Sequence, residues 1–357
     1  MKPRRILTAI ALFASAGVAL GQTPETITFK FDYKPGRVTR QKMVGRTVGA
    51  VRMPGPLPEY KMTQSFENVV TARCLSVNPD GSAVFELGLG DMAIKMSLGA
   101  MTFQVDSRAE ADQPTTGPMD EMAAVLRQLL QGMSRVRFKA TMSANGQPIK
   151  VEGLSAATNE LAESLKSEGR HGRQIQAMLK GMSSMFDDKA MLQQMQMQTR
   201  IIPSKPVRVG DTWESSWEST IPMLEVQVKG KGEYELVGIE TLHNRSCAKI
   251  RIRETLEMTG DIKNIGPSAG PLAGLLSGMR ISSSGGEGVA YLDYQTGDLV
   301  QLRQAQNMVI TMEMKAPSAP GQESGAAAEP VKLEQNLRQT LSVELLVDDP
   351  ATQPSAR

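Results

Sequence analysis

From Lys332 to Leu345 the chain changes character at almost every second residue. Leu333, Leu337, Leu341, Val343 and Leu345 fall on one side, and Lys332, Glu334, Arg338, Ser342 and Glu344 on the other. A β-strand separates neighbours in this way, because successive side chains point to opposite faces of the pleat. Leu302, Met308, Ile310, Met312 and Met314 make a matching stripe upstream, and Tyr60, Met62, Phe66, Val70, Ala72 and Cys74 stay in phase through YKMTQSFENVVTARCLSV. Alternation of this kind means one buried and one wet face, the habit of antiparallel sheets. The runs exceed the usual strand of about 5–6 residues and predict a wide, curved sheet that wraps something.

Turn chemistry places the strands. Asn78-Pro79-Asp80-Gly81 turns a hairpin over 58–88, and Asn145-Gly146 turns another over 136–152. TITFKFDY puts Ile27, Phe29, Phe31 and Tyr33 on one face of an early strand. The middle changes period: Met122, Val125, Leu126, Leu129, Leu130 and Met133 recur at helical spacing from Pro118, and helical signals resume through 155–198. Pro203 and Pro206 force an extended exit into IIPSKPVRVGDTW, where Trp213 and Trp217 share a strand face. The division is a first β-rich half at 22–115, a helical middle at 116–200 and a second β-rich half at 201–347. That second half carries a mobile loop at 316–330, and a disordered tail follows at 348–357. The expected fold class is α+β: long antiparallel strands in a curved open sheet or half-barrel, with central helices on one face. The two halves resemble each other, as diverged duplicates or as β-hairpins do generically.

Lys2, Arg4 and Arg5 precede the apolar run Ile6 to Leu20, and Ala19-Leu20-Gly21 supplies small residues before Gln22. Residues 1–21 therefore read as a secretory signal peptide cleaved before Gln22. Gln22, not Cys, follows the small residue, so no lipid anchor is expected. Three of the 40 basic residues leave with the leader, and 37 against 38 acidic leaves a near-neutral mature chain. With no basic run, nucleic acid is not an expected partner; no later segment is apolar for long enough to span a bilayer. Cys74 and Cys247 are the only cysteines. In an oxidising compartment they either form a disulfide or sit apart as small buried hydrophobes.

The exported N-terminus, the KPG turn at Lys34-Pro35-Gly36, IIPSKPVRVGDTW and the late GVAYLDYQTGDL together resemble a family of exported bacterial proteins classed as a domain of unknown function. That resemblance brings no activity and no catalytic residues. The architecture is also similar to the lipoprotein-carrier half-barrels of the bacterial envelope.

Chemistry-bearing constellations are sparse. His171 and His243 both lie in polar turn-like stretches, and the zinc-protease and phosphate-loop motifs are missing. A carboxylate-based hydrolase would need two facing acids, whereas Asp187-Asp188 and Asp348-Asp349 are adjacent pairs suited to caps and termini. The methionines are the richest feature, 23 against eight phenylalanines. Met178, Met182, Met185 and Phe186 form one helical stripe, and Met191 and Met195 continue it after a break at Asp187-Asp188, while Met197 begins the extended exit. Thioethers hold Cu(I), but no His or Cys stands near Met191, Met195 and Met197 to complete a site. Flexible thioethers also fill irregular cores and suit adaptable apolar surfaces. The resulting expectation is a non-enzymatic binding protein of the envelope, without cofactor. It would hold a lipid, another apolar ligand or an envelope protein between sheet and helices, with Met178, Met182, Met185, Phe186, Met191 and Met195 as the contact residues. Soft-metal handling and a carboxylate hydrolase are the alternatives.

Overall fold

The computed structural model describes residues 26–51, 59–99, 101–109, 118–165, 187–221, 226–259, 279–314 and 331–346. After the two-residue β1 (Thr26–Ile27), the chain runs through β2 (Val38–Val51), β3 (Tyr60–Val77) and β4 (Ala83–Leu98) as an antiparallel meander. β5 (Met101–Asp106) folds back on the second half of β4, and after α1 (Pro118–Met133) β6 (Arg137–Met142) takes the first half of the same edge. β7 (Pro148–Glu152), α2 (Leu154–Leu165), α3 (Asp188–Gln198) and a 3-10 turn (Thr199–Ile201) follow. β8 (Val207–Arg208) pairs with β1. The second meander is β9 (Thr212–Ile221), β10 (Val226–Leu242), β11 (Arg245–Thr259), β12 (Met279–Asp293), β13 (Leu299–Met314) and β14 (Val331–Leu346).

The two meanders form one twelve-stranded sheet, because β14 pairs antiparallel with β2. The order is β7-β6-β4-β3-β2-β14-β13-β12-β11-β10-β9, with β5 beside β4, and the sheet is open. Residues paired across strands share a face, so the register runs one face through the whole sheet. Ala290, Leu302, Val343, Met43, Asn68 and Met92 lie in one row on it. This inner face carries α1, α2 and α3 at one end, where Phe138, Ala140, Val151, Leu154 and Leu129 form a core. At the other end Ile27, Leu236, Ala248, Ile250 and Ala290 form a second. The opposite face carries cross-strand pairs such as Lys42–Glu67 at 2.9 Å, Lys249–Glu240 at 2.8 Å and Arg251–Glu235 at 2.6 Å. It is therefore a face for water, not for lipid.

Phe31 shows how strongly the sheet curls. A Cβ added to Gly146, in the β6–β7 turn, or to Gly297, in the β12–β13 turn, would come within 2.2 Å of its ring. β6 and β13 are five strand steps apart, about 24 Å in a flat sheet at the usual spacing. A single ring touches both turns only because the sheet bends round it. Both glycines also have positive φ, at +80° and +77°, so each turn needs glycine for its backbone as well as for the ring.

Several local expectations hold. α1 runs from Pro118 to Met133 as its spacing predicts. Asp187 caps α3, accepting from Ala190 N at 2.5 Å. Asp188 instead reaches back to cap α2, accepting from Leu154 N at 2.8 Å and Ser155 N at 3.2 Å. Two differ. TITFKFDY is a strand only at Thr26–Ile27 and then runs extended, joined by Lys30 N to Tyr294 O at 2.9 Å; the alternation signals a half-buried strap rather than sheet. Met197 lies inside α3, which continues to Gln198. The prolines act only at Pro203, after the helix has ended.

Candidate functional site

The strap from Phe29 to Arg37 crosses the end of the sheet and roofs a cavity of about 220 Å³. Its wall includes Phe31, Tyr33, Cys74, Phe85, Met195 and Asp298. Tyr33 packs edge-on against Phe85, ring centres 5.4 Å apart, and donates to Ser143 O at 3.0 Å. Burial, with the Cys74 thiol nearby, holds its phenol well above the ordinary range.

One rim of the cavity is an electrostatic clamp. Arg37, at the end of the Lys34–Arg37 turn, pairs with Asp298. Arg245 bridges Asp298 at 2.8 Å and Asp293 at 3.1 Å, and Thr296 Oγ1 donates to Asp298 at 3.1 Å. Asp293 Oδ1 in turn accepts from Gln295 N at 3.0 Å. Two acids face each other here, but two guanidiniums and the turn backbone occupy their oxygens. That is the chemistry of a fastener, not of a glycosidase pair, whose carboxylates flank open space. The KPG and YLDYQTGDL turns, singled out in the sequence, thus meet in space.

The second region is the middle of the inner face. Met43, Met62, Phe66, Ile94 and Leu341 share that face by register and are only half-buried, and Met96 is 41% exposed. The described helices pack on β4, β5, β6 and β7. Gly45 lets the Phe66 ring lie flat on the neighbouring strand, since a Cβ there would meet the ring at 1.9 Å.

The third region went unnoticed in the sequence. Trp213 stacks on Tyr234 with ring centres 5.8 Å apart, and the Arg200 guanidinium lies 5.3 Å from the Trp217 ring centre. Glu254 is on the same face and accepts from Gln304 Nε2 at 2.5 Å. Burial raises the Glu254 carboxyl above its ordinary value and pushes the Tyr234 phenol up to about 12. Polar residues scattered over four strands and a turn leave no linear motif, so only the strand register reveals them.

The expected contact residues separate. Met178, Met182, Met185 and Phe186 lie outside the described residues. Met191 packs against the α1–β6–α2 core, and Met195 does so while also reaching the cavity. Cys74 and Cys247 are both free and buried. Cys74 lines the cavity, whereas Cys247 packs with Val300 and Leu345, so the two thiols serve different clusters. Burial raises both thiols above the ordinary range. Among the described residues no group of three or more His, Cys, Asp or Glu is placed to hold a metal. The one histidine among them, His243, is exposed at the β10–β11 turn.

A family model described as a family of unknown function, DUF6263, matches residues 80–265. The chain belongs to DUF6263. The match runs from the β3–β4 turn past β11, so it includes Arg200, Trp213, Trp217, Tyr234 and Glu254 but not Gln304, and of the clamp only Arg245; it is narrower than the whole-chain resemblance read from the sequence. No curated protein is similar at a significant level. Among solved structures, lipovitellin, titled for its lipid–protein interactions, is 12% identical over 90% of this chain with a TM-score of 0.37. This chain spans 27% of lipovitellin's length. An exported protein of YmcC-like fold from Bacteroides fragilis is 8% identical over 90% of this chain and 100% of its own, TM-score 0.21. A DUF1329 family protein from Desulfovibrio piger is 9% identical over 86% and 87%, TM-score 0.13. At these scores none of the three bears on function. Among the described residues no helix is long and apolar enough to cross a membrane.

Proposed function

We propose that this is an exported, non-enzymatic binding protein of the bacterial envelope that seats an apolar or amphiphilic ligand on the inner face of its sheet. The signal-peptide pattern of residues 1–21 supports the export. One observation carries the binding: the inner face is closed at both ends and half-open in the middle. At the ends Leu154, Leu236, Ile250 and Ala290 are 0% exposed. Between them Met43, Met62, Phe66, Ile94 and Leu341 keep part of their surface available. Gln64, Asn68 and Gln339 interleave with them on that face, and the apolar part of this mixed surface costs about 25 cal/mol for each Å² left unburied. Such patches mark surfaces that something else covers. The flexible methionines adapt to ligands of different shape.

The test is uptake of a fluorescent fatty-acid probe, with native mass spectrometry of the purified chain. Saturable uptake that falls at least about tenfold in Phe66→Asp with unfolding unchanged supports the reading. No retained ligand and no saturable uptake removes it. Met191 and Met195 pack against the α1–β6–α2 core, with Met195 also at the cavity, and copper handling has no supporting observation.

A further inference from the structure

Arg200 is an odd residue to place under a sheet-wrapped core. Its Nη1 is shut off from water and meets no acceptor, and the same is true of Trp213 Nε1. These are two of the four such side-chain atoms among the described residues, one above the Trp217 ring and one on the ring stacked with Tyr234. A buried donor left unmade costs about 1–3 kcal/mol, and more when charged, so a protein keeps one where a partner arrives from outside. The patch is built to hold the guanidinium still. Gly230 and Gly232 let the Trp217 and Tyr234 side chains lie along β10, where a Cβ would meet them at 2.1 and 2.3 Å. The Trp217 face then supports the cation. Glu254 is near enough to be felt electrostatically, yet its hydrogen bond goes to Gln304.

We propose that Arg200, held over the Trp217 ring, is the anion-recognition group for the carboxylate or phosphate head of an amphiphile whose chain lies along the half-open inner face. This rests on the apolar-ligand reading above. The path is continuous: Gln304, which holds Glu254, is followed across the strands by Leu341, Gly45, Phe66 and Ile94. The guanidinium supplies donors in a fixed planar fork and suits carboxylate or phosphate oxygens.

The test compares palmitate, hexadecanol and inorganic phosphate on the full chain and on Arg200→Met. The wild type should bind palmitate at least about tenfold tighter than hexadecanol, the value of one charge-assisted hydrogen bond. R200M should bind the two alike while keeping its affinity for the alcohol. Its thermal midpoint should stay level or rise, because a donor nitrogen shut off from water without an acceptor is being replaced by an apolar side chain. Equal binding of acid and alcohol by the wild type, or an acid preference that survives in R200M, overturns the anion site and leaves the apolar-ligand reading standing. Phosphate binding that depends on Arg200, with neither amphiphile bound, keeps the anion site and overturns the apolar reading. Binding of none of the three overturns both.

Discussion

Arg37 and Asp298 form an ion pair although they lie 261 positions apart in the chain. Asp298 is 14% exposed, and its two arginine partners, Arg37 and Arg245, are 27% and 30% exposed. Replacing Asp298 by Asn leaves Arg37 without its acid and Arg245 with Asp293 alone, in a poorly solvated corner. The expected loss is about 2–4 kcal/mol, near the cost of breaking a buried pair. Urea unfolding measures it, and a change below about 0.5 kcal/mol would reduce the clamp to a surface pair.

Phe31 is the second fastener. Gly297→Ala introduces a Cβ at 2.2 Å from its ring on a backbone with φ +77°. Both effects are unfavourable, and the positive φ alone costs roughly 1–2 kcal/mol. Phe31→Ala removes a half-buried ring and should cost about 2 kcal/mol. The double variant should cost less than the sum, because the clash disappears with the ring. Strict additivity in a double-mutant cycle would contradict the contact.

Glu254 sets a pH dependence. Burial raises its carboxyl in the folded state above the ordinary 4.5, so the folded form holds the proton longer than the unfolded form. The associated stability is complete below the unfolded value and is lost as pH rises through the folded one. Glu254→Gln should therefore match the wild type at low pH and exceed it in stability at neutral pH. Urea midpoints at two pH values decide it; a deficit at neutral pH would mean that the charge is used.

The thiols give a simpler test. Cys74 is 1% exposed and Cys247 0%, and burial lifts both above the ordinary thiol value of 9.0. Native protein should label with a disulfide reagent only as fast as it opens, and fully once unfolded. The raised values also remove stability as pH climbs past 9, since the unfolded thiols ionise first. Rapid labelling of either cysteine in the native state would contradict its burial.

Much of the fold was legible because it is written in period two. The strand faces of 60–77 and 331–346, the Asn78–Gly81 turn and the 118–133 helix all follow from local alternation and turn chemistry. The strap from Phe29 to Tyr33 alternates equally well and is not sheet, because period two reports one-sided burial whatever does the burying. The order of the strands was not legible: nothing near Leu341 says that its neighbour is Gly45. The Arg200–Trp217–Glu254 cluster was hidden for the same reason, since its members meet only after the register is set. Asp188 escaped too, because capping α2 from the start of α3 is a tertiary contact.

The β2–β14 seam brings Ser342 to within 3.5 Å of Val44 O, 298 positions away. During synthesis from the N-terminus, β2 can engage β3 early, but its other edge has no partner until nearly the whole chain has emerged. For that time the fourteen-residue β2 keeps one edge open, where every second residue turns its amide and carbonyl outward unsatisfied, the kind of edge that recruits stray strands. A strand flanked on both sides in the finished molecule is thus an open edge during biogenesis, and a chaperone would find its first client surface there.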